Sequence, residues 1–282
     1  MSIETRIAVL LTCHNRVERT VRCLETLFAQ RIDDDRFEVV LVDAGSADGT
    51  PEAVQDRFPQ VEVIARGPEL FWNGGMRVAY AHAYASDPDA YLWLNDDVVL
   101  DPDAVPRMLA VHRELRAAGR PPTIIAGSTR DPETGEPTYG GVVRPDRRRP
   151  LHHQLVAPGD LPRQVETMNG NCVLVPREVV QRIGTLAAVY THGMGDYDYG
   201  HRAQRAGCET WITPGTIGTC ARNASPRRAG SLSEHRQRAV GPTTGLPPRE
   251  WFTFARRWAG PLWPLYGSSP YLRRLVRWGL AR

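Results

Sequence analysis

Ala90-Tyr91-Leu92-Trp93-Leu94-Asn95-Asp96-Asp97 is an apolar run that stops at two adjacent carboxylates. A short apolar run bounded by turn formers reads as a strand buried on both faces, the pattern of a parallel sheet. Ligands in α/β proteins collect at the C-terminal ends of such strands. Paired carboxylates there suit Mg²⁺ or Mn²⁺, hard cations that take oxygen ligands from one or two acids and from substrate phosphates. The pair also suits a solvated turn or helix cap, because Asp101-Pro102 opens a helix just downstream.

Strand and helix alternate on either side of this run. Residues 7–11 are continuously apolar, and Val17, Val21, Leu24, Leu27 and Phe28 then share one helical face. Residues 38–42 form the next expected strand, closed by the turn-forming Asp43-Ala44-Gly45-Ser46-Ala47-Asp48-Gly49 before Thr50-Pro51 starts a helix. A third strand is expected at 61–65 and a helix at 76–85. Beyond irregular Gly, Pro and Arg clusters at 130–150 come a strand at 172–175 and helices at 176–183 and 196–206. The rhythm predicts an α/β fold with a mostly parallel central sheet and helices on both faces.

The 282 residues, 41% hydrophobic, suffice for one large domain or one domain with an extension. All 35 basic residues are arginine. The lack of lysine excludes Schiff-base chemistry and the lysine of a Walker A loop. Cys13, Cys23, Cys172, Cys208 and Cys220 form no C-x-x-C pair, which points away from a disulfide framework or zinc site and toward reduced thiols. The 7–11 run is too short for a signal-peptide core or a membrane span, so a cytoplasmic location is expected.

Residues 226–282 differ in kind. They hold eleven Arg against Glu234 and Glu250, a net +9, which leaves residues 1–225 at −6 within a chain of +3. Trp251, Phe252, Phe254, Trp258, Trp263, Tyr266, Tyr271 and Trp278 are interleaved with the arginines. The mixture suits peripheral contact with an anionic membrane face. It also suits a helical cap whose aromatics pack inward while its arginines face water. No nucleic-acid motif accompanies it. The expected organisation is a domain at 1–225 and a basic, aromatic, helical extension at 226–282.

Four segments carry a resemblance: Leu10-Leu11-Thr12-Cys13-His14-Asn15-Arg16, Val42-Asp43-Ala44-Gly45-Ser46-Ala47-Asp48-Gly49-Thr50, Leu94-Asn95-Asp96-Asp97, and Gly195-Asp196-Tyr197-Asp198-Tyr199-Gly200-His201-Arg202-Ala203. In this order they resemble the motifs of family 2 inverting glycosyltransferases with a GT-A fold, over roughly residues 5–222. The resemblance implies a single nucleotide-sugar-binding domain and transfer from a nucleotide-diphosphate sugar to a glycan or lipid-linked acceptor. By resemblance Asp97 is the metal ligand and Asp96 lies near the donor ribose or sugar. Thr12, His14, Arg16 and Asp43 would hold base and ribose, with His14 where the family often stacks an aromatic ring. Asp43 is placed to accept from a base N–H, although such a residue also bonds its own turn.

Asp196 matches the family's catalytic base, which takes the acceptor proton in a single displacement; a helix cap is the plainer reading. Asp198, two residues on, is off that helical face and is expected to serve the acceptor instead. The resemblance also sets Asn169 and Asn171 in the acceptor pocket, with Trp211 offering an apolar face to a ring. Asn73-Gly74-Gly75-Met76-Arg77 reads as a helix opening where Gly74 and Gly75 admit a phosphate and Arg77 pairs with it, or as an ordinary Gly-Gly turn. Two positions depart from the family pattern. Gly195 replaces an acidic residue, and Cys220 stands where a further metal-ligating His is often found. A thiol is a poor ligand for Mg²⁺, leaving the metal to Asp97, diphosphate and water, or to a substitute such as His192 or His201.

The leading expectation is therefore a metal-dependent glycosyltransferase working at the cytoplasmic membrane face. The alternative is a non-catalytic nucleotide-sugar-binding or scaffold protein of the same fold. An NAD-dependent enzyme or nucleotidyltransferase lacks its signature, since no G-x-G-x-x-G follows the first strand.

Overall fold

The structure, a computed structural model, describes residues 5–32, 36–222, 240–243 and 245–280. Apolar runs form the middle of one large sheet. Strands β1 (Arg6–Cys13), β2 (Arg36–Ala44), β3 (Val61–Arg66) and β4 (Ala90–Leu94) pair in parallel in the order β4-β1-β2-β3. The sheet continues past β4 through antiparallel β12 (Cys172–Pro176), then β6 (Thr123–Arg130), β13 (Glu209–Thr219) and β10 (Arg163–Val165). Short strands β5 (Val99–Leu100) and β7 (Pro137–Tyr139) hang on β13 and β6. A small second sheet joins β8 (Gly141–Val143), β9 (Gln154–Leu155) and β11 (Thr167–Met168).

Alternating side chains of these strands feed two cores, as the two-residue strand period requires. Ile7, Val9, Leu11, Leu41 and Leu92 face α1 (Val17–Phe28), α2 (Thr50–Arg57) and α4 (Ala104–Ala117). Ala8, Leu10, Val40, Tyr91 and Trp93 face α3 (Phe71–Ala83), α5 (Arg177–Ile183) and α6 (Gly195–Arg205). The second core is held by aromatics. Trp93 Nε1 donates to Tyr80 Oη at 2.6 Å, and the Trp93 ring meets Tyr199 edge-on at 5.0 Å. Such pairs add about 0.5–1.5 kcal/mol beyond area burial. They fix β4, which ends in the Asp pair, against α6, which carries Asp196.

The ladders bring four segment ends to one edge. Cys13 pairs with Asp43, and Asn95 N donates to Asn171 O at 2.8 Å just beyond the β4–β12 ladder. The antiparallel β12 thus starts where parallel β1, β2 and β4 finish, which sets Asn169-Gly170-Asn171 beside Asn95-Asp96-Asp97.

One helix begins earlier than its sequence pattern suggests. The expected helix at 76–85 runs from Phe71 to Ala83, so Gly74 and Gly75 lie inside it rather than at its opening. Past β13, α7 (Pro248–Trp258) buries Trp251, Phe254, Ala255 and Trp258 along one stripe against Tyr190. It is followed by α8 (Trp263–Leu280). Residues 226–239, 244, 281 and 282 of the expected extension fall outside the described residues.

Candidate active site

A cleft of about 570 Å³ opens over the strand ends. Thr12, His14, Arg16, Asp96, Asp97, Asn169, Asn171 and Asp196 all line it.

The turn that joins the ends of β1 and β2 is built by reciprocal hydrogen bonds. His14 Nδ1 donates to Ala44 O at 2.8 Å, and Asn15 Nδ2 lies 3.1 Å from His14 Nε2, which assigns Nε2 as the acceptor. Asn15 Oδ1 accepts from Ala47 N at 2.7 Å. The ring of His14 is left exposed at the cleft. Asp43 lies beneath this turn and does not line the cleft; it is buried, with its carboxylate accepting from Ser46 N at 3.0 Å and from Cys13 Sγ at 3.5 Å.

At the β4 end, Arg16 Nη1 reaches Asp96 Oδ1 at 3.0 Å and Asp97 Oδ2 at 3.2 Å. Burial pushes the Asp96 carboxyl up to about 6, with Arg16 pulling it down and Asp97 pushing it up. Asp97 Oδ1 accepts from Cys220 Sγ at 3.5 Å. Burial, with Asp97 beside it, raises the Cys220 thiol, so the sulfur is a neutral S–H donor rather than a thiolate ligand.

Among the described residues no group of three or more His, Cys, Asp or Glu converges as a cage. The donors that remain are two carboxylates open to one cleft. That set fits a hard cation whose other ligands are phosphate oxygens and water, and it does not fit a soft one. His192 lines the same cleft, and burial and Arg16 lower its pKa so that it is neutral. His201 is elsewhere. It is buried against Trp258 with its Nε2 2.9 Å from His153 Nε2, and burial drops it to about 3, so it cannot substitute for Cys220 at Asp97.

Asp196 lies in the first turn of α6 and lines the cleft beside Gly170. Its Oδ2 accepts from Gly170 N at 3.0 Å and its Oδ1 from Tyr197 N at 2.8 Å, while burial pushes the carboxyl up to about 6 against these two bonds. A carboxylate of that pKa, held by backbone donors, can exchange a proton near neutral pH. Gly170 has no room for a side chain, since a Cβ there would lie 2.6 Å from the Trp72 ring. Asn169 Nδ2 donates to Tyr197 Oη at 3.2 Å, and Asn171 Nδ2 to Cys220 Sγ at 3.6 Å.

Five expectations need correction. Asp198 is wholly buried and accepts from Arg202 Nε, Arg257 Nη1, Trp258 Nε1 and Tyr190 Oη at 2.9, 2.8, 3.0 and 3.1 Å, which leaves it nothing to offer an acceptor. Trp211 lies on β13 away from the cleft, donating to Glu209 Oε2 at 2.8 Å beneath the Arg120 guanidinium. Gly74 packs toward Leu70, and Gly75 lets α3 close onto β1, because a Cβ there would lie 2.3 Å from Thr12 Oγ1. Arg77 is exposed on the helix and outside the cleft. The helix register, three residues earlier than a Gly-Gly opening demands, accounts for all three.

Sequence reasoning passed over Trp72, Phe71, Tyr139 and Thr243, which also line the cleft. Trp72 Nε1 donates to Asn95 Oδ1 at 2.8 Å. Three non-glycine residues with left-handed φ border the cleft: Asn15 (51°), Phe71 (48°) and Met194 (67°). Such strain persists only where the surroundings over-determine it, and it clusters at functional sites.

The model of the family described as glycosyl transferase family 2 matches residues 8–151. The chain belongs to that family. The family match carries Thr12, His14, Arg16, Asp96 and Asp97 and ends before Asp196. The chain is similar to the N-acetylglucosaminyl-diphospho-decaprenol L-rhamnosyltransferase of Mycobacterium tuberculosis, 28% identical over 200 residues, with 62% of each chain covered. Galactofuranosyltransferase GlfT2 of the same organism is 26% identical over 242 residues, 74% of this chain and 36% of that protein. The chain thus spans less than two thirds of the length of both relatives. A solved mannosyltransferase from Pyrobaculum calidifontis, in complex with GDP-Man and Mn²⁺, superposes with a TM-score of 0.55 at 19% identity, over 96% of this chain and 70% of that one. This likeness shows the fold, a GT-A arrangement.

Proposed function

We propose that this family 2 chain is an inverting glycosyltransferase that moves a sugar from a nucleotide-diphosphate donor to a hydroxyl of a lipid-linked glycan acceptor. The observation that supports this most is that Asp196 and the Asp96–Asp97 pair share one cleft with the nucleoside-side residues Thr12, His14 and Arg16.

The acceptor oxygen attacks the anomeric carbon from the face opposite the diphosphate. Its proton passes to Asp196, and the pair of electrons in the broken carbon–oxygen bond leaves with the diphosphate. Asp97 is the residue that would hold Mg²⁺ or Mn²⁺, which supplies charge neutralisation for the departing diphosphate when bound. Asp96 lies on the ribose or sugar side, and Arg16 is free to turn from the carboxylates to the phosphates. Thr12 and His14 frame the base, and Asp43 supports their turn from beneath. Asn169 and Asn171 offer polar groups to the acceptor.

The acceptor class is supported by the relative named for a decaprenol-linked substrate. No helix among the described residues is long and apolar enough to cross a membrane. Exposed Leu262, Leu265 and Leu272, within a segment of net +9, support peripheral contact with an anionic lipid face.

The test is thermal stabilisation by UDP, GDP and dTDP, each with and without Mn²⁺, on the native chain and on Asp97→Ala. Ligand binding raises the melting temperature by mass action. Mn²⁺-dependent stabilisation by one nucleotide, lost in the variant, is expected; no response to any of them overturns the reading.

A further inference from the structure

The loop that ends in Asp196 is clamped from outside the family match, by α7. Glu250 is buried, and its carboxylate accepts from Thr191 N at 3.0 Å and Thr191 Oγ1 at 2.5 Å. Thr191 O accepts in turn from Asn73 N at 3.0 Å, and Asn73 Nδ2 donates to Ala187 O and Tyr190 O at 3.1 and 2.7 Å. Past the loop, Arg257 and Trp258 of the same helix hold Asp198. Between the two clamps lie His192, Gly193, Met194 and Asp196. Thr243, a few residues ahead of α7, lines the cleft itself.

We propose that α7 is part of the active site, and that Glu250 is a positioning residue which sets, through Thr191, the 187–194 loop and the Asp196 carboxylate against the cleft. The proposal rests on the reading of Asp196 as the base. Both Glu250 oxygens are directed at one residue of a loop that carries a left-handed Met194, a conformation that needs such outside support. The loop lines the same cleft as the Asp pair, where a shift of about 1 Å costs about 100-fold in rate.

Asp196 reports on the clamp because burial is the main cause of its raised pKa. The titratable and charged groups around it are Tyr197 on its own helix, His192 on the loop, and Arg16, Asp96 and Asp97 lining the same cleft. A loosened loop admits water, and hydration moves the carboxyl down toward its ordinary range.

The experiment uses Glu250→Ala and Glu250→Gln in the full chain. It reads hydrogen exchange over residues 187–197, calorimetric binding of UDP, GDP and dTDP with Mn²⁺, and the pH profile of hydrolysis of the matching nucleotide sugar. Glu250→Ala is expected to speed exchange in that loop, leave the nucleotide Kd within about two-fold, lower kcat about 100-fold and shift the acid limb below its native position. Glu250→Gln, which still accepts from Thr191, is expected to recover most of the loss. Native exchange and a native acid limb in Glu250→Ala overturn the proposal. Should Glu250→Ala not fold, Thr191→Val removes only the hydroxyl contact, and a native acid limb there overturns it equally. If Asp196→Asn is inactive while Glu250→Ala behaves as native, this proposal falls alone; if Asp196→Asn stays active, the base reading falls.

Discussion

Arg16 Nη1 lies 3.0 Å from Asp96 Oδ1 and 3.2 Å from Asp97 Oδ2, so one guanidinium meets both carboxylates of the β4 end. On the proposed reading, a divalent cation held by Asp97 would compete with that charge until a diphosphate receives the arginine. Arg16→Met is therefore expected to bind Mn²⁺ alone about ten-fold more tightly and to bind nucleotide with Mn²⁺ less tightly than the native chain, a coupling of ordinary size. Electron paramagnetic resonance of free Mn²⁺, titrated with and without nucleotide, reads both affinities. Equal Mn²⁺ affinity in the two proteins would contradict this role for Arg16.

Burial pushes the Asp196 carboxyl up to about 6 from its ordinary 3.8. A base works deprotonated, so kcat should rise with pH through about 6 and then level, with a slope of one on the acid side. A profile flat from pH 5 to 8 at saturating donor would speak against Asp196 as the titrating group.

Stability runs the other way. Between about pH 4 and 6 the folded state keeps a proton on Asp196 that the unfolded chain has released, so stability falls as pH rises through that window and stays lower above it. Asp196→Asn removes the titration, although its amide nitrogen meets one of the two backbone N–H groups that the carboxylate accepts from. Its melting temperature should therefore fall less between pH 4 and pH 7 than that of the native chain. Calorimetry at the two pH values checks the sign.

Gly170 donates its N–H to Asp196 Oδ2 and meets the face of Trp72. Gly170→Ala must displace either the ring or the carboxylate. The expected result is about 1–3 kcal/mol of destabilisation with a loss of transfer of ten-fold or more, while nucleotide affinity changes little. Denaturant unfolding and donor hydrolysis measure the two effects separately.

The sheet and the edge where its strands end were legible because period and turn chemistry are local. The run Ala90–Leu94, the apolar start of β1 and the Asp43–Gly49 turn each declare themselves within ten residues or fewer. Asp198 could not be read this way, since its fate depends on Arg257 and Trp258, about sixty residues on, which bury it. The glycine pair at 74–75 misled because Gly75 serves packing against Thr12, a contact between elements. Trp72 gave no signal of its own. An aromatic ahead of a helix looks like core until Gly170 and Asn95 are seen beside it.

The clamps from α7 also decide how membrane contact should be tested. Truncation after residue 245 would remove Glu250 and Arg257 together with any lipid-facing surface. Leu265→Asp with Leu272→Asp changes only exposed positions, and it should weaken binding to anionic vesicles several-fold while leaving nucleotide binding unchanged. Unaltered vesicle co-sedimentation would remove the membrane face from the account.

The most direct test of the central claim is single-turnover transfer by Asp196→Asn, measured beside its affinity for the donor nucleotide with Mn²⁺. Loss of general-base catalysis is worth about 10²–10⁴ in rate. The account predicts a loss of that size with donor affinity preserved; transfer at the native rate with the native pH profile would contradict it.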